Sequence, residues 1–203
     1  DAATSQAARE RVGWQHLLLD PQDRSLRFGL PGMCIDLGGF AKGHAVDRAT
    51  TLLRRRGIVH AMVSAGGDSR AIGDHRGRPW SVAIRHPRQP GEVVAVLPLE
   101  DTSISTSGDY ERYFGEDGQR HHHLIDPATG RSPSSVHSVT ILAADGLTSE
   151  ALSKSVFVLG AQRGLALVES LAGIDAVVVD AAGALRASSG LRPAKALSPD
   201  QRQ

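Results

Sequence analysis

Cysteine is nearly missing from this chain of 203 residues. Cys34 stands alone, so no intrachain disulfide can staple the fold. Its neighbours Met33 and Ile35 are apolar, and the expectation is a buried, unreactive thiol. Aromatic residues are scarce, at 4 %, so any core must be built from Ala, Val, Leu and Ile. Neither sign of charge is in excess, with Lys and Arg at 23 against Asp and Glu at 22. That balance offers no electrostatic grip on nucleic acid or on an anionic membrane surface. No uninterrupted apolar run reaches the roughly 18–20 residues that span a bilayer, so no transmembrane segment is expected. No signal-peptide pattern is visible in these residues. The start, "DAATSQAARE", suits a processed or shortened chain as well as an intact one, and compartment stays open.

Hydrophobic residues still make up 40 %, enough for one domain over 1–203 with a real core. Residues 1–12 read as a polar, helical lead-in and 193–203 as a loose tail. "HLLLD" and "SLRFGL" flank the turn signal "PQDR" and predict a hairpin. Residues 42–56 predict a helix with Ala45, Ala49, Leu52 and Leu53 on its apolar face and Gly57 as its stop. Arg54, Arg55 and Arg56 then sit where cations favour a helix end. "IVHAMVSAGGD", "PWSVAIRHP", "EVVAVLPL", "TSISTSGDYERYF" and "SVHSVTILAAD" read as strands. Two helices meet at Gly160, and "IDAVVVD" with "ALRASSG" makes a closing hairpin. Hairpins outnumber helices, which argues α+β: a mostly antiparallel sheet with helices packed on one side.

Five stretches carry residue types suited to chemistry. "DLGGFAKG", 36–43, puts glycines and Lys42 before a helix start, where backbone N–H groups can meet an anion; a tight structural turn is the competing reading. "SAGGD", 64–68, ends an apolar strand in Gly66 and Gly67, with Asp68 able to pair with a ligand hydroxyl or to cap an ordinary turn. Ser105, Thr106 and Ser107 offer a hydroxyl cluster for phosphate or ribose oxygens, or simply a polar loop. In "QRHHHLIDPATG" strand alternation puts His121 and His123 on one face and His122 on the other. An HxH pair lacks the third protein ligand of a catalytic zinc, so a single functional histidine is the better reading. Glu150 and Lys154, at i and i+4, have the spacing of a helix-surface ion pair.

In this order, "IDLGGFAKGHAVD", "VSAGGD", "SISTSGDYERYFGEDGQRHHHLIDPATGRSP" and "SEALSKSVFVLG" resemble the ApbE family, the FAD:protein FMN transferases. The resemblance runs from about Val12 to the end of the chain. No one motif is decisive, but the ordered set is specific. It implies an ApbE-like (T-fold-like) domain that splits the pyrophosphate of FAD, releases AMP and joins FMN to a Thr or Ser of an acceptor protein. Some relatives hydrolyse FAD to FMN and AMP instead. The partners implied are FAD and that acceptor, the cofactor Mg²⁺, and the location periplasmic or membrane-associated in bacteria.

Carried over by position, the resemblance makes His123 the base for the acceptor hydroxyl, with Asp126 closing the turn that orients it. Lys42, Gly66, Gly67, Asp68, Thr106, Ser107, His123 and Leu124 fall at the nucleotide. A backbone oxygen in the Gly39–Ala41 stretch and the side chains at 150 and 154 fall at the metal. The family pattern has Asp and Thr at the last two positions; this chain has Glu150 and Lys154. Glutamate still ligates Mg²⁺, one methylene further out, whereas a protonated lysine cannot. Weak or absent metal is therefore expected. The chain is also shorter ahead of "DLGG" than the family pattern. A relative that binds flavin without catalysis is the alternative to an enzyme.

Overall fold

The computed structural model describes residues 2–116 and 119–191. The lead-in forms a helix, α1 (Ala2–Arg9), and then the expected hairpin, β1 (Leu17–Asp20) with β2 (Ser25–Phe28). Asp36 closes the next turn by accepting Gly38 N–H at 2.7 Å, and α2 (Ala41–Arg55) follows. The helix stops where Gly57 takes a φ of 79°, a conformation cheap only for glycine. The remaining elements are β3 (Ala61–Ala65), β4 (Asp68–Ile72), β5 (Trp80–Arg85), β6 (Val93–Leu99), β7 (Ser103–Gly108), β8 (Tyr113–Glu116), β9 (Gln119–His122), β10 (Val136–Ala143), α3 (Gly146–Glu169), β11 (Asp175–Asp180) and β12 (Leu185–Ala187). The predicted tail, 193–203, lies outside the described residues.

Six strands make one antiparallel sheet in the order β12-β11-β10-β7-β4-β3. Strand alternation gives it two working faces. Val139 and Ile141 of β10, with Ala176 and Val178 of β11, pack against Val156, Phe157 and Val168 of α3. Leu142, Val177 and Ile104 point the other way and meet Ile84, Leu97 and Leu99 of the β5–β6 hairpin. The helices thus cover one face, as the α+β reading expects, and a hairpin covers the other.

α3 is capped by Asp145, whose side chain accepts Thr148 N–H at 2.8 Å. It breaks at Gly160, where φ is 78° and ψ 171°, as the two-helix reading foresees. By length and composition it is apolar enough to cross a membrane, yet here it is the core helix of the sheet. α2 crosses α3 backbone to backbone: a Cβ at Gly43 would stand 2.1 Å from Gly146 O. Asp47 of α2 then caps the first amides of α3, accepting Gly146 N–H at 2.7 Å and Leu147 N–H at 3.0 Å.

Two local expectations fail. The buried face of α2 is Gly43, Val46 and Thr50, while Leu52 is 57 % exposed. The close crossing at Gly43 decides the helix rotation: it leaves Ala45 and Leu52 exposed and Ala49 and Leu53 half-buried. Cys34 is exposed, not buried: the run around it is coil leading into α2, and Ile35 beside it is exposed as well.

Candidate active site

The β3–β4 connection starts the site. Gly66 and Gly67 have φ of 53° and 96° and join Ala65 to Asp68 by a two-residue hairpin turn. Positive φ at both central positions is the pattern of the hairpin turn that matches strand twist, which is why a Gly pair sits there. This turn delivers Gly66 O and Asp68 to the start of α2. Lys42 reaches across, donating to Gly66 O at 3.0 Å and to Asp68 Oδ2.

α3 supplies the other half. Glu150 is fully buried, a costly place for a charge unless it is paired. Its Oε2 accepts Gly43 N–H at 2.6 Å. Its Oε1 faces Lys154 Nζ at 3.1 Å and Lys42 Nζ at 3.8 Å. The i, i+4 pair predicted for a helix surface therefore exists, but it is an interior one, and the spacing alone could not say which side of α3 meets the sheet. Gly39 lies alongside, where a Cβ would be 3.9 Å from Cδ of Lys154; Ala41 is exposed at the first position of α2. Asp68, 1 % exposed, keeps one unpartnered oxygen, Oδ1. Such an orphaned acceptor is rare in an interior, and it suits an N–H or O–H donor brought by a ligand.

The hydroxyls of the "STS" cluster do not face one surface. Ser105 and Ser107 turn toward α3 and share Ser153, at 3.2 and 2.8 Å; Ser103 meets Ser149 at 3.1 Å. Thr106 points to the opposite face and pairs with Thr140 at 2.8 Å. Strand alternation enforces that split. The row of serines is a buried polar seam between β7 and α3.

The three histidines also separate. His121 stacks on Phe114 with ring centroids 5.1 Å apart. His122 is buried, edge-on to Phe157, and its Nε2–H donates to Pro133 O at 2.9 Å. It anchors β9 to the core. His123 lies just past the end of β9 and is exposed. Burial alternates along the run, with His122 buried and its two neighbours more open, as strand alternation expects, although β9 itself ends at His122. His123 Nδ1–H points to Arg112 O over a long 3.4 Å, and its backbone N–H donates to the same carbonyl at 3.2 Å. That leaves Nε2 for a reactant. Partial burial lowers its pKa below 6.5; the Arg112 carbonyl opposes this, while the charges of His122, Arg112 and Lys154 add to it.

Asp126 closes the following turn as expected, accepting Ala128 N–H at 2.9 Å and Thr129 Oγ1–H at 3.3 Å. Its carboxylate is committed to that turn, and it is Arg112 that orients His123. Leu124 is 7 % exposed and its side chain belongs to the core against α3. The sequence reading missed a second ionic cluster. Asp109 is held by both guanidinium nitrogens of Arg88, with Arg120 at 3.4 Å. Arg88 also donates to His137 Nδ1 at 2.7 Å. Burial alone would raise the Asp109 carboxyl; the bonds and charge of Arg88, then the charges of Arg120 and His137, outweigh it and hold the carboxyl below its usual range. A cleft of about 380 Å³, lined by Arg85, Arg88, Tyr110, Tyr113 and Arg120 among others, opens beside it. The only sequence signal for this cluster was an unpaired acid in "SGDYERY" and a base in "RHPR", too little to join them.

Mg²⁺, which the family resemblance implies, does not fit the residues present. Both oxygens of Glu150 are engaged, one by a backbone amide and one by ammonium groups. A divalent cation seated beside Glu150 would face the fixed charge of Lys154 at a few ångströms, a repulsion on the order of several kcal/mol. Among the described residues no three His, Cys, Asp or Glu side chains converge as metal ligands.

Comparison with known proteins agrees with this arrangement of segments. The sequence profile of the ApbE family matches residues 1–178. The FAD:protein FMN transferase of Rhodobacter capsulatus is 43 % identical over 136 residues, covering 67 % of this chain and 26 % of that protein. The FAD:protein FMN transferase of Treponema pallidum is 38 % identical over 171 residues, covering 79 % and 47 %. Among solved structures, the ApbE protein of Thermotoga maritima superposes with a TM-score of 0.86 at 36 % identity, covering 94 % of this chain and 62 % of that one. The flavin transferase ApbE of Vibrio cholerae gives 0.82 at 33 %, covering 93 % and 61 %. The chain thus spans between a quarter and about two thirds of the length of these relatives. The family profile covers most of the chain and the folds superpose closely, and the chain belongs to the ApbE family.

Proposed function

We propose that this chain carries out FAD:protein FMN transfer. The acceptor is a Thr or Ser hydroxyl of another protein. Its oxygen attacks the FMN-side phosphorus of FAD, the bond from that phosphorus to the bridging oxygen breaks, and AMP leaves with the electron pair. The hydroxyl proton passes to Nε2 of His123, which is left free because Nδ1–H is directed to Arg112 O. General-base help of this kind contributes roughly 10²–10⁴-fold. Lys42 and Lys154 place two ammonium groups around Glu150, on the side where a diphosphate needs cations. Asp68 Oδ1, buried and unpartnered, receives a donor from the nucleotide.

The observation that carries this reading is the cluster of Lys42, Asp68, Glu150 and Lys154, which gathers two ammonium groups and a buried, unpartnered acceptor at the start of α2. The test is incubation with FAD and a Thr-containing acceptor, followed by AMP chromatography and in-gel flavin fluorescence. The expected result is AMP together with a fluorescent acceptor band, and a rate roughly a hundredfold lower for His123→Ala. AMP and free FMN without a band would assign a pyrophosphatase. Flavin binding without AMP would leave a binding module and overturn the proposal.

A further inference from the structure

We propose that Lys154 is a built-in replacement for a divalent cation: its ammonium, seated on Glu150, supplies the fixed positive charge of the anion site, which works without metal. The ligand class is a diphosphate, so this rests on the reading of the site as an FAD site and deepens it.

The geometry is specific. Glu150 is fully buried, and each of its oxygens already has a donor: Gly43 N–H at 2.6 Å on Oε2 and Lys154 Nζ at 3.1 Å on Oε1. A metal would have to displace one of them. Lys154 Nζ also donates to the backbone oxygen of its own turn, Glu150 O, at 3.3 Å. These two acceptors leave one of its three protons uncommitted, and the side chain is 22 % exposed. Lys42 differs. Its ammonium is spent on Gly66 O, Asp68 Oδ2 and, at 3.8 Å, Glu150 Oε1. Lys42 therefore ties α2 to the β3–β4 turn, while Lys154 has a proton to offer a ligand. The two carboxylates and two ammonium groups balance in charge, so the cluster is complete without an added cation. The remaining unmet acceptor, Asp68 Oδ1, asks for a hydrogen-bond donor.

Two titrations test the proposal on the whole chain. In the first, Mn²⁺ is added without nucleotide and the free-ion paramagnetic resonance signal is followed. The wild type is expected to leave the signal free. Lys154→Thr, which removes the ammonium and adds a hydroxyl beside Glu150, is expected to bind Mn²⁺ at least tenfold more tightly than wild type. Binding by both with equal affinity, or by neither, overturns the proposal. In the second, FAD fluorescence quenching is measured in EDTA and in Mg²⁺. The expected result is the same affinity within twofold in both buffers for wild type, and a loss of tenfold or more for Lys154→Gln in EDTA. A tenfold gain of the wild type in Mg²⁺, or an unchanged Lys154→Gln, contradicts it. Melting curves are recorded alongside to check that both variants are folded. If FAD binds in neither buffer, the transferase reading fails, and the Mn²⁺ titration alone decides the role of Lys154.

Discussion

At His123 the surroundings favour the neutral imidazole. Partial burial is the largest influence, and the positive charge of Lys154 is a smaller one in the same direction. A base must be unprotonated, so activity should fall as pH drops through this lowered pKa and be level from neutral pH upward. The expected pH profile of AMP formation has its acid limb centred below 6.5, the ordinary histidine value. Lys154→Gln removes a charge that disfavours imidazolium, so its limb should move to higher pH. A limb centred above 7 in the wild type, or one that moves down in the variant, contradicts this assignment. Histidine NMR titration reads the same quantity without turnover. His122, one residue away, was not separable by composition. Only the end of β9 after His122, and the contact of His122 with Phe157, give the two neighbours different work.

The crossing of α2 and α3 is the element that holds the site together. Gly43 and Gly146 allow backbone contact, and that contact brings Gly43 N–H onto Glu150. A methyl at Gly43 would meet Gly146 O at 2.1 Å, with no flexible side chain to give way. Gly43→Ala is expected to cost about 3 kcal/mol, at the upper end of overpacking costs, in urea denaturation. Gly57→Ala is the contrast: it meets nothing within 4 Å and is strained only by its φ of 79°, so about 1 kcal/mol is expected. Equal losses for the two would mean that the crossing is not tight. The cap that Asp47 places on α3 is a further test, since Asp47→Ala should cost about 1–2 kcal/mol. These elements were legible in part. The turn at Gly66–Gly67, the stop at Gly57 and the break at Gly160 could be read because glycine marks the backbone conformation itself. The buried face of α2 could not, because Ala45, Ala49, Leu52 and Leu53 follow helical spacing equally well, and only the partner helix selects the side that turns inward. Glu150–Lys154 read as a surface pair for the same reason.

Across the whole molecule, the two-sided core follows from strand alternation, and the α+β class was readable from hairpin counting, but the sheet order, set by pairings such as β10 with β7 and β7 with β4, was not. Long-range pairings were not: Arg88 with Asp109 joins segments 21 residues apart, and Asp109 with Arg120 and His137 closes the face around the cleft. That cluster makes a stability claim. Asp109 has a folded pKa below its unfolded 3.8, so its contribution is present above that value and is lost as pH falls through the lower folded one. Because Arg88 is about one third exposed, solvent screening limits the pair to about 1–2 kcal/mol at pH 7. Asp109→Asn should be less stable by that amount at neutral pH, and its deficit should shrink as pH falls below about 4. A deficit that grows on acidification would contradict the pairing.

The most direct measurement of the central claim is stoichiometric. The 203-residue chain is incubated with FAD and a Thr-containing acceptor, and AMP and acceptor-bound FMN are counted over one time course, by chromatography and intact mass. One AMP per covalent FMN is expected, with both nearly abolished in His123→Ala. AMP without covalent FMN, or covalent FMN formed equally well without His123, would contradict it.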